Sequence, residues 1–301
     1  MAWARGSSAG SGARLSGRAR STRWSPVAGE LGVNLVDTAE CYGDHLAQSL
    51  VGRAIASDRD AWVVATKFGH RFHAERMREP GWDPGTLRSD HWSPAEVVAQ
   101  LDPSLRALGT DYVDILQSHG TTDQFGTPGL WEALRDQVRA GTVRHLGISL
   151  DPGDGERVER APELGAEVIQ VTYNRLNGAA EEVVLPAAAR AGCGVLAREP
   201  LANGYLSGRY RAGSPIAGPN DWRASRDRRQ ADADLEEVAR LQATEVPSGV
   251  PIARWALAWC MRHPAVSAVI PGSRTVEQLE GNVAAADLDL VSDGHPLAVA
   301  P

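Results

Sequence analysis

The sequence predicts a parallel α/β fold closed as a (β/α)8 barrel, and three observations carry that expectation. From about Gly32 onward, seven short runs of strand character alternate with helical patterns. Each run is near-continuously apolar, as a strand covered on both faces must be. No glycine-rich phosphate turn follows any of them, which disfavours the runner-up, a doubly wound sheet. Eight β/α units take about 250 residues, and the chain has 301.

In chain order, residues 1–27 come first and stand apart. They hold five arginines, six serines and no acid. A transit peptide has this composition, and so does a disordered basic tail. A shifted reading frame is the third reading, since the codons for residues 21–26 spell helix-forming text when displaced by one base. On any of the three, residues 1–27 are expected to contribute no barrel strand, leaving residues 28–301 as one barrel domain. "GSGARL" in this segment is not a dinucleotide fingerprint, because its third glycine is missing and no strand precedes it.

The strand runs follow: "VNLVDTA", "WVVATKF", "YVDILQSH", "VRHLGIS", "EVIQVTY", "CGVLARE" and "VSAVIPG". Between the second and third, "SPAEVVAQLDPSLRALG" opens with Ser93 as N-cap, Pro94 at the first helical position and Glu96 completing a capping box. Val97, Leu101, Leu105 and Leu108 then share one helical face, and Pro103 is expected to kink or interrupt it. "PGLWEALRDQVRAG" is a helix ending at Gly141, a C-cap. "VPIARWALAWCMRH" and "TVEQLEGNVAAA" are the last two strong helical patterns.

Composition narrows the function. At 43% hydrophobic and 23% charged residues, the chain has enough apolar material for one large core. A formal charge of −7 offers no global attraction to nucleic acid or an anionic membrane. No apolar run reaches the roughly eighteen residues of a membrane span. Cys41, Cys193 and Cys260 form no C-x-x-C pair and suggest neither a disulfide framework nor a zinc motif, so a reducing cytoplasm is the expected setting. Cys41 reads as a small buried hydrophobe.

In a barrel, chemistry sits at the C-terminal ends of the strands. Those ends carry Asp37 and Tyr42, then Lys67, then His119. Later ends carry Ser149, Gln170 with Tyr173, Arg198, and Gly272-Ser273-Arg274. Lys67 is the only lysine in a chain whose other Lys/Arg positions are all arginine. A phenol is a poor acid near neutral pH, with an ordinary pKa of about 10. A nearby ammonium favours phenolate and lowers that value. A carboxylate keeps the ammonium charged and in place, and an imidazole can hydrogen-bond a carbonyl oxygen. Each residue alone has an ordinary explanation: a capped loop, a packed ring, an ion pair of Arg274 with Glu277. Together they point to proton transfer at a carbonyl.

The ordered series "GVNLVDTAECYG", "ATKFG", "LGTDYVDILQSH", "GTVRHLGIS", "VIQVTYN" and "VIPGSRTVEQLEGN" resembles the successive signatures of the aldo-keto reductases from about residue 28 to about 290. The resemblance implies a (β/α)8 barrel that binds NADP(H) without a Rossmann motif and reduces aldehydes and ketones, or runs the reverse. It implies a tetrad of Asp37, Tyr42, Lys67 and His119, with Tyr42 the general acid. It places the nicotinamide carboxamide at Ser149 and Gln170, Arg198 near the ring, and Leu201 beside the pyrophosphate. It gives Ser273 and Arg274 to the 2′-phosphate and Gln278 and Asn282 to the adenine side, with Gly272 also among the cofactor-binding residues. Leu150 stands where members usually carry Asn, Arg198 where many carry an aromatic ring, and Gln48 at a commonly acidic position. The pocket loops "GHRFHAERMREPGWDPGTLRSDHW" and "GTTDQFGTPG" suit a polar, sugar-derived carbonyl or alcohol substrate. A non-catalytic NADP(H)-binding regulatory subunit, or an inactive product lacking the first strand, are the competing expectations.

Overall fold

The computed structural model describes residues 24–73, 88–90, 92–120, 124–213 and 227–288. Helix α1 (Trp24–Glu30) leads into strand β1 (Leu35–Asp37), α2 (Leu46–Ile55) and β2 (Val63–Phe68). A short antiparallel hairpin of β3 (His70–Phe72) and β4 (Arg88–Asp90) precedes α3 (Pro94–Leu108). Then come β5 (Val113–His119), α4 (Leu130–Ala140), β6 (Val143–Leu150), α5 (Gly155–Glu159), α6 (Ala161–Leu164) and β7 (Ala166–Thr172). The chain continues through α7 (Val184–Ala191), β8 (Gly194–Arg198), α8 (Arg228–Thr244), α9 (Ile252–Met261), β9 (Val266–Val269) and α10 (Val276–Val283).

Among the described residues, seven strands pair in parallel in the order β1-β2-β5-β6-β7-β8-β9, and the sheet curls with helices on its outer face. This is the predicted (β/α)8 barrel architecture. The expectation for residues 1–27 lies outside the described residues except for its last four, which begin α1. Most of the first predicted pocket loop, residues 74–87 and 91, and residues 121–123 of the second are likewise outside them.

Strand alternation sorts side chains into two cores. Val64, Leu116, Leu146, Ile148, Ile169 and Val171 face outward into the main core shared with the helices. The opposite set, Ala65, Ile115 and Leu196 with Leu35, Val63, Val168 and Ala268, fills the barrel interior. Two residues further along five of these strands lie Asp37, Lys67, Gln117, Gln170 and Arg198. The polar set is therefore the next inward-facing step above an apolar plug. A separate cluster of Tyr205, Leu206, Leu235, Leu241 and Trp255 fastens the loop after β8 to α8 and α9.

Of the two outcomes expected at Pro103, a kink or an interruption, the interruption is not realised: α3 is continuous through it. Leu101, Ser104 and Leu108 are buried around the proline, and Ser104 Oγ donates to the Gln100 carbonyl at 3.2 Å. Burial of the apolar face outweighs the one backbone donor that proline removes. At the start of α3, Ser93 Oγ accepts the Glu96 N–H at 3.3 Å and donates to the Glu96 carboxylate at 2.6 Å, which bears out the predicted cap.

The bottom of the barrel is tied by buried Asp114. Its carboxylate accepts from Arg59 at 2.8 Å, Arg144 at 3.0 Å and the Val64 N–H at 2.9 Å. The two guanidinium groups sandwich the Tyr112 ring at 4.1 and 4.0 Å. Asp114→Ala is expected to cost about 1–3 kcal/mol by leaving a buried donor without its acceptor. Urea denaturation checks this, and an unchanged midpoint removes the role assigned to Asp114.

Candidate active site

The turn after β1 carries Thr38 to His45 over the top of the barrel. Gly43, Asp44 and His45 all have positive φ, at 67°, 53° and 62°, so the chain reverses tightly between Tyr42 and α2. The conformation is unfavourable for Asp and His. It is braced by His45 Nδ1 against Gln48 Oε1 at 2.6 Å, and Gln48 Nε2 donates to Thr66 Oγ1 at 2.8 Å. Gln48, expected as a substitution for an acid, is thus a fully buried strut between α2 and β2.

Beneath this turn lies the ion pair. Lys67 Nζ donates to Asp37 Oδ2 at 2.6 Å and to the Thr38 carbonyl at 2.9 Å. Both side chains are almost fully buried, at 2% and 4% exposure. Burial alone drives a lysine toward its neutral form. Here the Asp37 carboxylate outweighs it, with help from Tyr42 and Glu40, and Lys67 is held above the ordinary 10.5. A raised folded-state pKa means the pair stabilises the fold below the unfolded lysine value and is lost only as pH rises through the folded one. The ammonium is therefore fixed across neutral pH.

The ammonium lies 5.4 Å from the Tyr42 ring centroid. His119 stands edge-on to that ring at 5.7 Å. Both residues are half-buried, whereas the ion pair is buried. The structure thus brings together all four residues selected from strand ends. The His70 ring lies 4.6 Å from His119, and Trp92 lies 5.9 Å beyond His70, extending an aromatic wall.

Sequence reasoning missed several supports. Gln117 Nε2 donates to Asp37 Oδ1 at 3.3 Å and Gln170 Nε2 to the same oxygen at 2.8 Å. Gln117 has room because β6 has no side chain beneath it: a Cβ on Gly147 would lie 2.7 Å from Gln117 Cγ. Alternation would have found Gln117, since it shares a strand face with His119 two residues on.

The predicted nucleotide residues fall on the neighbouring strands. His119, Ser149 and Gln170 are side by side in register across β5, β6 and β7. Leu150 is fully buried in the outer core, so its side chain does not join Ser149. Tyr173, another strand-end candidate, is also outside the site. It faces α9 and donates to Glu181 at 2.5 Å. Arg198 pairs with Glu199 at 3.3 Å and Asp151 at 3.6 Å, and its buried Nε has no hydrogen-bond partner among the described residues. Leu201 follows in a loop where Glu199, Ala202 and Asn203 take positive φ. Asn174 and Asn203 hold that loop through bonds to Glu199 of 3.1 and 3.0 Å.

Gly272, Ser273 and Arg274 form the turn from β9 into α10, which Thr275 caps. Gln278 Oε1 accepts the Arg274 N–H at 2.8 Å, and Asn282 Nδ2 donates to Ser273 Oγ at 2.8 Å. The exposed Arg274 side chain makes no ion pair among the described residues, so the ordinary alternative with Glu277 is not realised. Strained turns, an orphaned guanidinium donor and an uncommitted arginine at a helix start are what a dinucleotide with anionic groups needs. The residues present fit that group.

The Aldo/keto reductase family matches residues 21–296 of the chain. Among curated proteins, an uncharacterized oxidoreductase, YrpG of Bacillus subtilis (strain 168), is 33% identical over 276 residues, covering 86% of this chain and 79% of the relative. The L-glyceraldehyde 3-phosphate reductase of Escherichia coli (strain K12) is 30% identical over 274 residues, covering 85% and 75%. Among solved structures, the holo form of the aldo-keto reductase AKR11C1 from Bacillus halodurans superposes with a TM-score of 0.73 at 27% identity, covering 90% of this chain and 83% of that one. The glycerol dehydrogenase AKR11B4 from Gluconobacter oxydans gives 0.75 at 25% identity, covering 87% and 78%. No helix among the described residues is long and apolar enough to cross a membrane. With barrel, strand-end residues and relatives in agreement, the chain belongs to the aldo/keto reductase family and is an oxidoreductase enzyme working with a nicotinamide dinucleotide.

Proposed function

We propose that the chain reduces a polar, sugar-derived aldehyde or ketone with NADPH, or oxidises the corresponding alcohol, with Tyr42 as the proton donor. The observation that carries this reading is the buried Lys67–Asp37 pair at 2.6 Å, topped by Tyr42 and His119. When bound, the reduced nicotinamide supplies the hydride. The chain's own residues supply the proton and the orientation. His119 hydrogen-bonds the carbonyl oxygen and fixes it beside the Tyr42 hydroxyl. Lys67, kept charged by Asp37, stabilises the phenolate left when Tyr42 gives up its proton. Ser149 and Gln170 hold the carboxamide, Gln170 exchanging part of its bond to Asp37 for that contact.

The names of two relatives, a glyceraldehyde-phosphate reductase and a glycerol dehydrogenase, support a small polyol-like substrate. The test is loss of NADPH absorbance with a panel of sugar-derived aldehydes and ketones. Turnover supports the reading. Tight NADPH binding without turnover on any of them favours a non-catalytic subunit instead.

Cofactor choice is assigned to Arg274. Its guanidinium, at the start of α10, pairs with the 2′-phosphate through a charge-assisted bond. Arg274→Ala is expected to weaken NADPH binding by about 1.5–3 kcal/mol, while NADH binding barely changes. Fluorescence titration of both cofactors decides it, since equal losses would remove the assignment.

A further inference from the structure

The sequence offers no zinc motif, yet the fold brings two further metal-ligand side chains to His119 of the proposed tetrad. Donor atoms of Glu40, Cys41 and His119 all lie within 4.8 Å of one another. Cys41 Sγ and His119 Nδ1 are 3.5 Å apart. A tetrahedral Zn2+ with ordinary Zn–S and Zn–N bonds places those two atoms about 3.6 Å apart. The sulfur and nitrogen therefore already stand at the edge length of a zinc tetrahedron. The carboxylate needs to close by at most about 1.4 Å, a movement at the end of a side chain. Glu40 is held near that position because its Oε1 accepts the His70 N–H at 3.0 Å.

We propose that Glu40, Cys41 and His119 form a Zn2+ site whose occupation silences the enzyme. Thiolate, imidazole and carboxylate together suit zinc, whereas Mg2+ and Ca2+ prefer oxygen ligands alone. Binding replaces the Cys41 thiol proton, which leaves to solvent, with a Zn–S bond. Glu40 and Cys41 are buried, so the ion enters past half-buried His119 and Tyr42, and solvent or substrate completes its shell. Asp37 and Glu40 bring two carboxyl groups around the single Lys67 ammonium, and that electrostatic setting favours a second cation. The site itself stands on geometry. Its control of turnover rests on the role proposed above for His119: a dication on Nδ1, with solvent completing its shell, would stand beside the His119 and Tyr42 rings where the carbonyl is proposed to bind.

The experiment uses the full chain with Co2+ as a coloured stand-in, followed by Zn2+. One equivalent of Co2+ is expected to give a thiolate-to-metal charge-transfer band that Zn2+ bleaches and Mg2+ leaves alone. The band should vanish in Cys41→Ser and Cys41→Ala and persist in Cys193→Ser, whose thiol is elsewhere. Glu40→Gln should keep the band but weaken Co2+ binding by about 10-fold or more, as loss of a supporting group does. No band at one equivalent, or a band that survives both Cys41 variants, overturns the site. In the turnover arm, Zn2+ should inhibit wild type at concentrations at least about 10-fold lower than those needed for Cys41→Ser. A band without that difference keeps the site and overturns its control of turnover. Because the spectrum needs no substrate, it decides the site even if every aldehyde tested is refused.

Discussion

Tyr42→Phe is expected to cut turnover by about 10²-fold or more, the scale of general acid catalysis, while NADPH affinity stays nearly unchanged. The substitution removes only the hydroxyl. The ring that meets His119 edge-on at 5.7 Å keeps its shape, so the turn between β1 and α2 has no reason to move. The residues assigned to the nucleotide lie on β6 to β8, in the loop after β8 and from the turn before α10 into that helix, whereas Tyr42 lies in the turn after β1. Binding and chemistry should therefore separate cleanly. Fluorescence titration of NADPH beside steady-state kinetics on the best aldehyde measures both. Wild-type-like turnover in Tyr42→Phe would end the case for the tetrad.

Lys67→Met should be costly twice over. On the proposed mechanism it removes the charge that would make Tyr42 a usable acid, for a loss of turnover on the same scale of about 10²-fold or more. It also strands the Asp37 carboxylate in a site where the side chain is 4% exposed. Breaking a buried ion pair from one side costs about 3–5 kcal/mol of stability, so a lower thermal midpoint should accompany the lost activity. Lys67→Arg keeps the charge and should not fully rescue. The ammonium fits a gap between Asp37 Oδ2 at 2.6 Å and the Thr38 carbonyl at 2.9 Å. A guanidinium is larger and spreads its donors in a plane. That geometry explains why a chain otherwise built with arginine has a lysine here. Full activity in Lys67→Arg would leave the tetrad standing and remove only this explanation.

Much of the architecture was legible before any coordinates. The runs "WVVATKF" and "YVDILQSH" became strands β2 and β5 within a residue of their expected ends, because a strand covered on both faces is largely apolar apart from the residues it gives to a site. The cap at Ser93 and the stop at Gly141 were equally readable, since each depends on a few adjacent residues. The interruption allowed for at Pro103 is not realised, because its local penalty is visible in sequence and the compensating burial of Leu101 and Leu108 is not.

By itself, the sequence determined the strand order, the helical cover and the four strand-end residues, one of them the lone lysine. These follow from periodicity and from the rule that barrel chemistry gathers at C-terminal strand ends. Only the tertiary structure decided what braces them. Gln117 reaches Asp37 because Gly147, thirty residues away on the next strand, leaves space for it. Tyr173 turned outward to Glu181 although it ends the same strand run as Gln170. Cys41 met His119 across a sequence separation of 78 residues. Such contacts depend on register between strands, and register is set by the packing of the whole barrel, not by any one segment.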